Sequence, residues 1–405
     1  MQSTSLRSHL LLGGIAVAAT LSACGGGGGS GTPAAAPVAT LGTLAVAMTD
    51  APACGFDAVN VTVAKVRVNK SASAGETDAG WTDIALAAPK KVNLLNLTNG
   101  VLETLGQVSL EAGQYNQIRL VLDSNASGSA NTVLVTGAKA EQALETPSAV
   151  QSGIKLVGSF TVEAGARSDV VIDFDACKSV VARGKTSYAL KPVVKMVPAA
   201  INGISGFVAP SLLASGVTVS AQQNGNIVSA TTPNPTTGEF FLSRLAPGSY
   251  DVVITANNSA AAVVGAVPVA SATSTTALST AAAPIALPAS TAGTIGGTVT
   301  MTPPSSTEAA WVAAKQSFAS GPTVTIRYQG ADLATGAYTI ANLPVAAPQY
   351  AVYSATLPLS FAASAGLAAG AYRVDASAAG YAGKSVDGVN IATANATAVD
   401  FTLAP

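Results

Sequence analysis

The 405-residue chain carries a formal charge of −1; only 10% of its residues are charged and 49% are apolar. That balance excludes a nucleic-acid binder, which needs basic excess to neutralise phosphate, and a charged disordered tail, which has too little apolar surface for a core. The one histidine, His9, falls in a segment expected to be removed, so the mature chain has no imidazole for a Ser-His-Asp or Cys-His centre or a His metal site.

The first residues read as an export signal. Arg7 supplies a positive start, and Leu10 to Ala23 is an apolar run shorter than the about 20 residues that span a bilayer. The expected signal peptide is 1–23. Residues 24–40, with Gly25 to Gly29, Pro33 and Pro37, have little to pack and read as a flexible tether. The segment Leu21-Ser22-Ala23-Cys24 resembles the bacterial lipobox. The resemblance implies cleavage before Cys24 and lipid attachment to it, and two or more acyl chains anchor stably. An ordinary signal peptide cut near Ala23 would instead leave Cys24 a free thiol. Gly25 stands where many inner-membrane lipoproteins have Asp, so the resemblance points to the outer membrane of a Gram-negative bacterium, facing periplasm or cell surface. With Cys24 taken by lipid, Cys54 and Cys177 form an even pair in an exported chain, which predicts a disulfide; no C-x-x-C spacing supports a reactive pair.

From residue 41 the apolar pattern has period two. Val59, Val61 and Val63 share one parity and Val66 and Val68 the other, which predicts a β-bulge near Ala64-Lys65. Val101 to Leu105, after Asn99-Gly100, reads as a short helix. Ile118, Leu120 and Leu122 share a face, as do Val170, Ile172 and Phe174. Ser305 to Ser317 is a second helix candidate, with Ser306 or Thr307 as cap and a run rich in Ala. Leu-x-x-Gly-x-Tyr occurs at Leu110 to Tyr115, Leu245 to Tyr250 and Leu367 to Tyr372; in the first copy Ile118 and Leu120 fall opposite Tyr115. Thr237-Gly238-Glu239-Phe240 matches Thr335-Gly336-Ala337-Tyr338, and Gly265 to Ala270 matches Asp387 to Ala392. Ile204 to Val208 likewise matches Ile295 to Val299. The expected fold class is therefore all-β, with three tandem antiparallel β-sandwiches: 41–200, 203–288 and 294–405, the last carrying insertions around Ser305 to Ser320 and Val345 to Ala365.

Gly-x-Phe-x-Leu-x-x-Leu-x-Pro-Gly-x-Tyr, running from Gly238 to Tyr250, resembles the carboxypeptidase-regulatory-like, or Cna-B-like, sandwich of the carbohydrate-binding-like fold group. That resemblance implies a seven-stranded module and no particular ligand. The Lys-Asn isopeptide of some Cna-B relatives has no assignable triad, since 203–290 has no Lys and the last segment has only Lys315 and Lys384. Residues 41–200 resemble the family called domain of unknown function 4382. Among the stretches that carry the likeness are Met48-Thr49-Asp50-Ala51-Pro52, Gly80-Trp81-Thr82, Asn93 to Leu97, Gln117 to Leu122 and Asp173-Phe174-Asp175-Ala176.

No catalytic residues emerge: the carboxylates are scattered, and neither an acid pair nor a Ser-Lys dyad is picked out by spacing. The chain reads as non-enzymatic and without a cofactor. Asp173 and Asp175, one strand face apart from Ile172 and Phe174, are weak Ca²⁺ candidates with Asp50 or Asp123, against a solvated outer face. Trp81, Tyr115, Tyr328, Tyr338 and Tyr372 are candidates to stack on sugar rings, against packing roles. Gln151-Ser152-Gly153 with Lys155 reads as a turn or a small site. The expected function is a lipid-anchored envelope protein with a structural or adhesive role; the alternative is glycan or peptidoglycan binding by the C-terminal sandwiches. Expected partners are the membrane through the anchor, and a glycan or envelope protein, but no nucleic acid.

Overall fold

The computed structural model describes residues 40–405 apart from 52–54, 128, 185, 200, 201, 320 and 364–368. The expected signal peptide, Cys24, the tether, Cys54 and Leu367 lie outside the described residues. Thr40–Pro405 forms one compact unit.

Its first region contains β1 (Leu41–Ala51), β2 (Phe56–Asn69), β3 (Thr82–Asn93), β4 (Glu103–Glu111), β5 (Gly113–Leu122) and β6 (Thr132–Val135). It continues through β7 (Gln142–Glu145), helix α1 (Pro147–Gln151), β8 (Ile154–Val162), β9 (Arg167–Asp175), helix α2 (Ala176–Ser179), β10 (Val180–Ala182), β11 (Tyr188–Leu190) and β12 (Val194–Pro198). One sheet has the order β12-β9-β1-β4; the other runs β10-β11-β7-β6-β2-β5-β8 with β3 added on β2. Leu44, Val46, Met48, Ile172 and Phe174 from the first sheet share a core with Val61, Val63, Val66, Val68, Ile118 and Leu120 from the second. The register of β2 shifts between Val63 and Lys65 against both β3 and β5. This is the bulge the parity change predicts, and it is why Val61, Val63, Val66 and Val68 can all be buried.

Next come β13 (Gly203–Phe207), β14 (Thr218–Gln223), β15 (Asn226–Thr231), β16 (Glu239–Ser243), β17 (Gly248–Thr255), β18 (Ala262–Val269) and β19 (Thr275–Ala277). The last stretch holds β20 (Ala292–Met301), β21 (Trp311–Ser317), β22 (Thr323–Gly330), β23 (Ala337–Pro344), β24 (Gln349–Val352), β25 (Ala362–Ala363), β26 (Ala371–Ser377), β27 (Lys384–Asn390) and β28 (Phe401–Leu403). The order β16-β13-β19 recurs as β23-β20-β28, and β15-β14-β17-β18 recurs as β22-β21-β26-β27. The all-β reading holds. Pairing is mostly antiparallel, but β1 with β9, β7 with β11, β13 with β19, β18 with β24 and β20 with β28 run parallel.

The sequence matches have local causes. Gly238 and Gly336 take φ of 73° and 70°. A Cβ at either would lie 2.4 Å from the Val208 carbonyl oxygen or 2.3 Å from that of Val299. Just before them, the side chains of Asn234 and Asp332 each accept two backbone amides of the turn, fixing it in the same way. The Tyr copies are also related: Tyr115 Oη donates to the Glu111 carbonyl and Tyr250 Oη to that of Ala246, while Tyr372 Oη donates to Pro344. In all three the strand paired with the Tyr strand changes register just beyond the Tyr. The first copy, although its apolar face is reversed, thus shares the Tyr-to-carbonyl bond of the second and the bulged neighbour of both.

In the middle region that bulge places Ala266 at φ 59°, where the last region has Gly388 at 72°. A left-handed conformation costs a non-glycine residue about 1–2 kcal/mol, partly offset by glycine's own entropy loss of about 0.5–1 kcal/mol. Ala266→Gly should therefore stabilise the protein by about 0.5–1 kcal/mol. A higher urea midpoint with unchanged denaturant slope checks it; a lower midpoint contradicts the bulge account.

Two helix expectations fail. Val101 to Leu105 is not helical; a single 3₁₀ turn lies earlier, at Leu94–Leu97, and Glu103 begins β4. Of the Ser305 to Ser317 candidate, Trp311–Ser317 is strand β21, held between β22 and β26. Val312, Ala314 and Gln316 are buried in alternation, so two flanking partners override the helix propensity of Ala.

The Val345 to Ala365 insertion joins the two last regions. Its β24 pairs in parallel with the outer side of β18, from Ala262 opposite Gln349 to Gly265 opposite Val352, and β25 adds beyond it. Gly265 leaves room for the Tyr350 ring: a Cβ there would meet Tyr350 Oη at 2.5 Å. Gln222 and Thr325 exchange amide hydrogen bonds of 2.8 Å across the same boundary, both buried.

Candidate functional site

The outer face of β21 builds the site. Because Val312, Ala314 and Gln316 point into the core, Trp311, Ala313 and Lys315 point out. The registers place Tyr328 of β22 and Asp375 of β26 on either side of Ala313. A small residue thus makes the floor, an aromatic and a lysine stand at its ends, and a phenol and a carboxylate form its sides. Lys178 of α2, Asn226 and Ile227 of β15, and Lys384 and Ser385 of β27 complete a cavity of about 420 Å³, within the range of small-molecule sites. Tyr328 also borders cavities of about 300 Å³, beside Asp173, Asp175 and Lys195, and about 190 Å³, beside Phe56 and Tyr188.

Trp311 and Tyr328 meet edge to face, with ring centroids 6.0 Å apart. The six-membered ring of Trp311 lies over Gly330, its partner across the strand pair; a Cβ at that glycine would stand 3.2 Å from two ring carbons. Lys315 Nζ lies 3.1 Å from Asp375, and Arg373 Nε 2.7 Å from the other carboxylate oxygen. Burial pushes the Asp375 carboxyl up, but hydrogen bonds from Arg373, Ser385 and Lys315 outweigh it and hold the group below the usual carboxylate range. Lys178 pairs with Asp175 at 3.1 Å and sits 5.7 Å from the Tyr328 ring. Burial, then the charges of Asp175 and Asp50, push the Tyr328 phenol well up, so it remains a neutral hydrogen-bonding group.

Of the aromatic candidates, only Tyr328 lines this cavity. Tyr115, Tyr338 and Tyr372 are buried, with hydroxyls bonded to backbone carbonyls. Trp81 is held between Arg67 and Arg119, each about 5 Å from its ring (5.1 and 5.0 Å), and donates to the Gly75 carbonyl. Trp311, which lies in the segment that reads as a helix, is a lining residue beyond the sequence candidates. Gln151-Ser152-Gly153 is a turn: Gly153 takes φ 78°, Ser152 ends α1 and its carbonyl accepts from Arg119, while Lys155 is exposed.

The acidic candidates do not converge. Asp50 is in register with Phe174 and Asp173 with Thr49, so the pleat sends Asp50 and Asp173 to opposite faces. Asp50 accepts the Ala176 amide, and Asp175 caps α2 by accepting that of Lys178. Asp173 pairs with Lys195 at 3.2 Å; burial raises its carboxyl despite that lysine. Asp123 accepts the Ser124 amide. Among the described residues, no group of three His, Cys, Asp or Glu side chains could hold a metal ion. Cys177 is buried.

The architecture defines a multi-sheet β protein. Residues 41–192 match the family described as a domain of unknown function, DUF4382. No curated protein matches the chain. Among solved structures, a cohesin–X-dockerin complex from Acetivibrio cellulolyticus is similar at 25% identity over 22% of this chain and 58% of that one, with a TM-score of 0.19. The Bacillus anthracis TIE protein is similar at 10% identity over 90% of this chain and 50% of that one, TM-score 0.16. The major pilin SpaA of Corynebacterium diphtheriae is similar at 11% identity over 90% and 100%, TM-score 0.20. The chain thus spans 58% and 50% of the first two.

Proposed function

We propose that the protein is a lipid-anchored component of a bacterial cell envelope with a non-enzymatic structural or adhesive role. In this reading Cys24 carries the lipid, the glycine run gives freedom, and three sandwiches (41–200, 203–288 and 294–405) project from the outer membrane as one body. The observation that supports it is the closure of every boundary within Thr40–Pro405. The Asn99 turn bonds Thr231 and Phe241, Lys191 pairs with Glu308 at 2.6 Å, and β24 joins the sheet of β18. Such a body transmits position and force rather than opening for turnover. The Cys54–Cys177 disulfide belongs to the same proposal; a Cys54–Cys177 cross-linked peptide in a non-reducing digest tests it.

The test of the whole reading is labelling with a palmitate analogue and protease treatment of intact and permeabilised cells. Label should enter the wild type and not Cys24→Ser. Digestion in intact cells supports the adhesive form, and protection until permeabilisation the periplasmic structural form; an unlabelled protein recovered in the soluble fraction overturns the anchor. A second reading, saccharide binding by the C-terminal part, is favoured by one observation: the partly buried Trp311 and Tyr328 rings line one cavity with hydrogen-bonding side chains.

A further inference from the structure

We propose that the cavity floored by Ala313 and the adjoining one beside Asp173 together take one uncharged oligosaccharide, with a ring against Trp311 and its hydroxyls on the ion pairs of the walls. This rests on the saccharide-binding reading. It adds that the ligand is neutral and longer than one cavity, and that the first region supplies part of its site.

The charged side chains that face the two cavities are matched within the protein. Lys315 and Arg373 hold Asp375 at 3.1 and 2.7 Å, Lys178 holds Asp175 at 3.1 Å, and Lys195 holds Asp173 at 3.2 Å. Lys384 stands opposite Ala376, a core residue, so the pleat turns its side chain to the sheet face away from Ala313. An anionic or cationic ligand therefore finds no free partner among these groups. A carboxylate beside an ammonium still presents an acceptor next to a donor. A hydroxyl both donates and accepts through one oxygen, so it can bridge such a pair without leaving either charge unmatched.

The apolar surface suits ring faces. The ladder neighbours of Trp311 are Gly330 and Ser377, both small, and the indole lies over the glycine. In the second cavity Val193, Val194 and Ile227 supply apolar wall. The two cavities, of about 420 and 300 Å³, share Tyr328, Lys178 and Ile227 as a common border. Each has the size of a small-ligand pocket, and the two side by side suit a chain of several rings. An extended peptide would need a strand edge to pair with. The β15 carbonyls at these cavities, Ile227 and Val228, already accept from Lys178 at 3.5 Å and Lys195 at 2.7 Å. A chain of hydroxyl-edged rings makes no such demand.

The test is calorimetric titration of the full chain. The neutral probes are disaccharides and hexasaccharides of glucose, N-acetylglucosamine and xylose; the charged ones are hexamers of galacturonate and glucosamine. At least one neutral hexasaccharide should bind about tenfold or more tighter than its own disaccharide, through contacts in the second cavity. Neither charged hexamer should match it. Val193 is 42% exposed, so Val193→Arg should keep the fold by circular dichroism while filling the second cavity. It should lower the hexasaccharide to the affinity of the disaccharide and leave the disaccharide unchanged. Trp311→Ala should weaken both about tenfold. Equal affinity for the two lengths, tighter binding of a charged hexamer, or no effect of either variant overturns the proposal and leaves the saccharide reading standing. No binding of any probe at millimolar concentration, by calorimetry or tryptophan fluorescence, overturns both.

Discussion

Gly238→Ala should cost about 2–5 kcal/mol, the sum of a left-handed alanine and a backbone overlap. The overlap cannot be relieved cheaply. The added methyl would stand 2.4 Å from the Val208 carbonyl oxygen, and the Val208 amide is itself bonded to the Gly238 carbonyl at 2.9 Å. Moving β13 away to admit the methyl breaks that bond; moving the turn breaks the Asn234 contacts that shape it. Gly380 separates the two contributions. It has φ 80° with nothing within 4 Å of the added carbon, so Gly380→Ala should cost only the conformational part, about 1–2 kcal/mol. Urea denaturation of both variants checks the difference, and equal losses would mean that the strand yields. Gly336, which faces the Val299 carbonyl at 2.3 Å, should behave like Gly238.

Asn99→Ala should destabilise the protein by about 2–4 kcal/mol, through two orphaned donors at a buried boundary. Asn99 Oδ1 accepts from Thr231 Oγ1 at 2.7 Å and from the Phe241 amide at 3.1 Å, and the Asn99 backbone amide donates back to Thr231 Oγ1 at 2.9 Å. Thr231 is only 2% exposed, so water cannot replace the lost acceptor without opening the joint. The residue also sits at φ 57°, where Asn is tolerated better than Ala. Asn99→Gly keeps the backbone and loses the acceptor, which isolates the hydrogen bonds. A double-mutant cycle with Thr231→Val should return a coupling of about 1–3 kcal/mol. Additive losses would show that the boundary is held by packing alone.

Much of the strand architecture is legible in the residues because it follows local rules. The parity change from Val63 to Val66 places the bulge, and Thr-Gly-x-aromatic places a turn whose glycine has no alternative. The two helix expectations fail because strand partners compete: Glu103 and Thr104 pair with β1, and at Trp311–Ser317 two partners override the helix preference of alanine. The candidate site was harder to see. Tyr328 was visible as an aromatic, but its neighbours Trp311, Lys178 and Asn226 come from three sheets or their connections, and no spacing along the chain expresses that meeting. The available signal was the glycine at position 330, which faces a tryptophan on the paired strand. Buried tyrosines such as Tyr338 and Tyr372 carry the same letters as a ligand platform, and only their carbonyl partners separate the two roles.

The strand contributed by Gln349–Val352 bears on how the chain completes itself. Until it arrives, β18 presents a row of open amides and carbonyls, and Gly265 presents a vacant groove where Tyr350 later rests. Such an edge recruits other chains. A product that terminates before Gln349 would therefore be an aggregation hazard although its own repeat is intact. The penultimate repeat depends for its solubility on a seal encoded in the last one, which makes the two inseparable for truncation, for domain exchange and for inheritance as a unit.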